Sequence, residues 1–146
     1  LLKNLHVFSQ EFSINKIAVH KLISSLKKEF LLNISFLSIS FINSSELLRI
    51  NKEYLNHNYE TDVITFNYSK KTKDIDGEIL ISFEEAKKNA GKYHVNYSKE
   101  LCRLVIHGML HLLKFDDKNK KEKNIMKQME NKLINKYNFT LFAGKE

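Results

Sequence analysis

At 146 residues the chain fits one domain, long enough to bury about 70% of the surface its unfolded form would expose, so no metal is needed merely to close a core. One cysteine, Cys102, excludes an internal disulfide, and the apolar runs are far shorter than the ~20 residues of a membrane span. The balance of 24 Lys+Arg against 17 Asp+Glu, formally +7, favours polyanionic partners, although a Lys-, Asn- and Ile-rich, proline-free composition is also what an AT-rich coding bias produces.

In chain order, Leu5 to Phe8 reads as a short strand, and Ile14, Ile17, Ala18, Leu22, Leu26 and Phe30 follow helical spacing. Ile34 to Ile42 alternates as a strand with Leu37, Ile39 and Phe41 on one face. Ser44 or Ser45 is placed to cap a helix through Leu47, Leu48 and Tyr54. Asp62 to Phe66 and Glu78 to Ser82 read as two more strands, joined across a charged loop containing Lys70, Lys71, Lys73 and Asp74. Ser82 and Glu85 form a capping box for a helix to about Tyr93. A helix from Tyr97 to Leu113 is apolar on nearly every side, through Leu101, Leu104, Val105, Ile106, Met109, Leu110, Leu112 and Leu113, so it is expected at the centre of the molecule with Cys102 inert within it. The last helix, Lys118 to Tyr137, carries the stripe Ile125, Met126, Met129, Leu133 and Tyr137 opposite a lysine-rich face. The sum is an α+β fold, a single domain over 1–146 with a small mixed sheet of about four strands covered by helices.

The central helix carries the chemistry. His107 and His111 lie four residues apart, on one helical face, and Asp117 follows six residues later, beyond a turn. Two imidazoles and a carboxylate are a ligand set for one divalent ion, with zinc the first expectation, and three protein ligands leave a fourth position for a water whose pKa falls to about 7. Imidazole must be neutral to bind, so metal affinity should weaken in acid. The competing reading makes both histidines core residues and Asp116 or Asp117 the N-cap of the next helix.

The run His107-Gly108-Met109-Leu110-His111-Leu112, with Phe115-Asp116-Asp117 after it, resembles the His-Gly-x-Leu-His-Leu-x-Gly-Tyr-Asp-His signature of the YbeY family of metal-dependent endoribonucleases. Two further blocks resemble the same family in order: Asn51 to Phe66, including Tyr54 and Thr61-Asp62-Val63-Ile64-Thr65-Phe66, and Gly77-Glu78-Ile79-Leu80-Ile81-Ser82 with Asn89-Ala90 beyond it. The resemblance implies a central metal-bearing helix, His107, His111 and Asp117 as ligands, and cytoplasmic action on single-stranded RNA. Ribosomal RNA is the implied target, in maturation of the 16S 3′ end and ribosome quality control, with the small subunit as partner.

Three departures qualify it. Asp117 stands where the commoner pattern has His, which shifts the site toward harder ions. Lys114 replaces a glycine that would end the helix in a left-handed turn, at a cost of about 1 kcal/mol. Leu55 replaces an arginine expected to hold a phosphate, leaving Arg49, Lys52, His57 and Lys114 as cations that could take its place. A zinc peptidase shares the histidine spacing but places glutamate after the first histidine as general base, where this chain has Gly108. No other general base is identified by sequence. A hydrolase of another substrate and a ribosome-associated assembly factor are the alternatives. Tyr54, Tyr59 and Tyr68 either stack bases or, the reading that better suits most aromatics, pack the core.

Overall fold

The computed structural model describes residues 1–144, with elements β1 Leu5–Ser9, α1 Lys16–Phe30, β2 Asn33–Ile42, α2 Ser44–Leu55, β3 Val63–Asn67, β4 Asp74–Ser82, α3 Phe83–Tyr93, α4 Tyr97–Leu112 and α5 Lys120–Lys136. The sheet order is β1-β2-β4-β3. The first three are parallel and β3 runs antiparallel to β4, so the expected mixed four-stranded sheet is present. Leu37 lies opposite Gly77, Ile39 opposite Ile79 and Phe41 opposite Ile81, which gathers the apolar alternation of two strands on one face. That face meets the main core, built with Leu22, Ile23 and Leu26 of α1 and with α4, whose seven apolar positions named above are all buried, as is Leu113 at its C-cap. The opposite face is thinly covered: a small second cluster of Ile42, Leu47 and Ile64 sits under α2, while Phe36 and Phe8 remain exposed.

The close seating of α4 on the sheet depends on Gly108. A Cβ there would come within 2.7 Å of Ile79 Cγ2, so the second residue of the histidine motif is the contact point between helix and β4. The motif glycine therefore serves packing, and it faces the sheet.

Local structure corrects several expectations. Strand β4 begins at Asp74, four residues before Glu78, because the half-buried Asp74, Asp76 and Glu78 on its other face mask the alternation of Ile75, Gly77, Ile79 and Ile81. Asn43 caps α2 in place of Ser44 or Ser45, accepting the amide of Glu46. Asparagine also caps α1, α4 and α5 at Asn15, Asn96 and Asn119, whereas Ser82 caps α3 as expected, accepting from Glu85. Helix α5 thus starts at Lys120, so neither Asp116 nor Asp117 is its cap. Its stripe is also rotated: Met126, Leu133 and Ile134 are buried, while Ile125 is exposed, as is Ile17 on α1.

Candidate metal centre

The last two turns of α4 present both imidazoles toward one point. His107 Nε2 and His111 Nε2 are 3.1 Å apart, with ring centroids 4.6 Å apart and the planes at 73°. The chain then reverses through a turn that uses two hydrogen bonds back into the helix, Lys114 N–H to His111 O and Phe115 N–H to Leu110 O, both 3.0 Å. This is the Schellman pattern, and its left-handed position is Lys114 at φ 74°. The lysine accepts the strain that a glycine would avoid. Its Nζ donates to Ser69 O at 3.2 Å.

Beyond the turn, Asp116 accepts the amide of Asp117 at 2.9 Å, and that N–H is the leading reason its carboxyl is held below the usual carboxylate range, helped by Lys118. The contact aims Asp117 back at the histidines. Its Oδ2 lies 3.7 Å from His107 Nε2 and 3.5 Å from His111 Nε2. The three groups are half-buried and their donor atoms all lie within 4.8 Å of one another. Donors held 2.0–2.2 Å from a tetrahedral ion sit roughly 3.3 Å apart, and the observed separations bracket that value. The residues present fit a divalent cation.

Charged side chains not foreseen from sequence surround this centre. Glu130 of α5, 4% exposed, contacts His107 Nδ1 through Oε2 and accepts from Arg103 Nη1 at 3.1 Å through Oε1. Arg103 also donates through Nε and Nη2 to the two oxygens of Glu100, at 2.8 and 2.5 Å, and Glu100 is 2% exposed. Burial alone would pull the Arg103 guanidinium down; pairing with Glu100 and Glu130 outweighs it and raises it above its ordinary value. Their signal in the sequence was a placement: Arg103, His107 and His111 repeat every four residues, and Glu130 lies on the buried stripe with Met126 and Leu133. A carboxylate on a buried stripe calls for a cation.

A cleft of about 520 Å³ opens beside the centre between α4 and α5. His107, Asp117, Lys99, Lys123 and Lys127 are among its lining residues, so two lysines of the α5 solvent face border the site. The suggested substitutes for the missing arginine are largely engaged: Arg49 pairs with Glu46 and Glu53 on its own helix, and His57 meets the Tyr59 hydroxyl at 3.0 Å. Tyr54, Tyr59 and Tyr68 are all more than half exposed, which removes them from the core.

Residues 4–138 match the family model described as Endoribonuclease YbeY. The chain belongs to that family. It is 47% identical over 96 residues to an Endoribonuclease YbeY of Azobacteroides pseudotrichonymphae, covering 66% of this chain and 68% of the relative. With that of Parabacteroides distasonis it shares 36% over 122 residues, covering 84% and 85%. Among solved structures, a solution structure from Thermotoga maritima aligns with a TM-score of 0.64 at 22% identity, over 92% of this chain and 91% of the other, which supports the shared α+β fold of this YbeY family member. Among the described residues, no helix is long and apolar enough to cross a membrane.

Proposed function

We propose that the chain, read as one domain over 1–146, is a metal-dependent endoribonuclease whose His107, His111 and Asp117 hold one zinc ion. The observation that carries this is the convergence of three donor atoms at 3.1, 3.5 and 3.7 Å from one another on a chain of the YbeY family. An ion held by His107, His111 and Asp117 would supply Lewis-acid stabilisation of a phosphoryl group and would lower the pKa of water at the site. The protein's own part is to orient the donors, through the α4 face and the Schellman turn, and to draw in a polyanion through Lys99, Lys123 and Lys127 at the cleft. Gly108 cannot move a proton, and its position against Ile79 keeps that point of the helix away from the reacting groups.

The substrate we propose is single-stranded RNA, in the cell the 3′ end of 16S ribosomal RNA, with the small ribosomal subunit as partner and the cytoplasm as the compartment. The family name, the +7 charge and the exposed faces of Tyr54, Tyr59 and Tyr68 support this reading. Leu55 favours a second one, a metal-dependent hydrolase acting on another ester, because it removes a phosphate-holding side chain from the pattern.

The test is cleavage of a labelled single-stranded RNA by zinc-loaded protein. We expect cleavage that stops with chelator, returns with zinc and is absent in His111→Ala. Cleavage of a non-RNA ester without RNA cleavage would favour the second reading, and undiminished RNA processing in cells carrying only His111→Ala would point to an assembly factor.

A further inference from the structure

The three sequence blocks of this chain meet in one line of hydrogen bonds that ends on a candidate ligand. At the far end, Asp62 Oδ2, just before β3, accepts from Asn89 Nδ2 of α3 at 3.0 Å. The same Asn89 Nδ2 donates to Glu100 Oε2 of α4 at 3.2 Å. An amide NH₂ has two hydrogens and each neighbour is a carboxylate, so its donors are fully used. Glu100 grips Arg103, Arg103 bonds Glu130 of α5, and Glu130 meets His107 Nδ1. Three carboxylates and one guanidinium make up the line, leaving a formal excess of two negative charges that runs up to the histidine end.

We infer that Glu130 is a positioning residue for His107, and that the line from Asp62 through Asn89, Glu100 and Arg103 fixes Glu130 so that Nε2 is the atom His107 offers to the ion. An ionised carboxylate only accepts, so its contact with Nδ1 puts the ring proton on that nitrogen. In a neutral imidazole the lone pair is then on Nε2, the atom 3.1 Å from His111 Nε2 and 3.7 Å from Asp117 Oδ2. Carboxylates that hold the second nitrogen of a histidine ligand tune metal affinity 10–100-fold. Glu130 is itself held, because Arg103 occupies its other oxygen, and Arg103 is held in turn by both oxygens of Glu100. The role as a ligand support rests on the metal-site reading above; the protonation pattern does not.

The experiment combines nitrogen-resolved NMR of histidine-labelled protein, as purified and after chelation, with zinc affinity by chelator competition. In the wild type we expect a slowly exchanging proton on His107 Nδ1 in both states. Glu130→Ala should lose that signal and weaken zinc binding 10–100-fold, whereas Glu130→Gln, whose amide oxygen still accepts, should keep the signal and lose less. Asn89→Ala, farther along the line, should weaken binding less than Glu130→Ala. An unprotonated Nδ1 in the wild type overturns the inference, as does zinc affinity in folded Glu130→Ala within twofold of wild type. If Glu130→Ala does not fold, the wild-type signal and its retention in Glu130→Gln decide. A wild type that shows the Nδ1 proton but binds no zinc would defeat the metal-site reading and the ligand-support role, while leaving the hold of Glu130 on the ring in place.

Discussion

Helix α4 is buried on two sides by opposite means. Toward the sheet it presents Gly108 and apolar side chains, and it is held mainly by close packing, with one hydrogen bond from Asn67 Nδ2 of β3 to Leu112 O at 3.2 Å. Toward α5 it presents Glu100, Arg103 and His107, and it is held by hydrogen bonds and ion pairs shared with Glu130. The packed side is non-directional and tolerates little change in volume, whereas the polar side is directional and tolerates little change in charge. The site lies where they join: the packed side sets the position of α4, and the polar side sets the orientation of what it carries.

Removing a charge from the polar side should produce the largest loss of stability. Arg103→Ala leaves Glu100 and Glu130 buried without their cation, and a loss of about 3–5 kcal/mol is expected in urea unfolding. A change under 1 kcal/mol would mean the ion pairs are incidental. On the packed side, Gly108→Ala drives a methyl into Ile79, whose Cγ2 would be 2.7 Å away, and should cost about 1–3 kcal/mol. Unchanged stability there would show that the helix can lift from the sheet freely, and the contrast between the two sides would fail.

The turn leaving α4 offers a smaller effect of opposite sign. Lys114→Gly relieves a left-handed residue at φ 74°, and should stabilise by about 0.5–1 kcal/mol once the extra freedom of glycine in the unfolded chain is counted. The smallest effect concerns Cys102, whose thiol burial pushes up to about 11. The folded state therefore favours the neutral thiol, and this contribution is present below the unfolded value of about 8.5 and lost as pH rises toward about 11. Accordingly, Cys102 should resist alkylation at pH 8 in the native protein and react promptly in denaturant. Rapid native alkylation would place it outside the packed interior.

The fold was legible where one physical rule acted alone. Alternation located β2, all-round apolarity located α4 at the centre, and the spacing of His107, His111 and Asp117 marked the donors that the structure brings together. The start of β4 was hidden because Asp74 and Asp76 occupy its less covered face, and Ile17 and Ile125 look like core residues while facing solvent. Helix starts were misplaced at α2 and α5 because Ser44 and Asp117 resemble caps as closely as Asn43 and Asn119 do. The sequence marks Glu130 only as a carboxylate on a buried stripe; its partners were not legible because they lie 23 and 27 positions away, a separation that the packing of α4 on α5 closes.

The central claim is that three side chains hold one ion, and metal content tests it most directly. Elemental mass spectrometry of gently purified protein, beside His111→Ala and Asp117→Ala, should find about one zinc per chain in the wild type and little or none in either variant. Wild-type protein that carries no metal, even after zinc is added back and excess removed, would contradict the account and leave His107 and His111 as hydrogen-bonded residues of the helix interior.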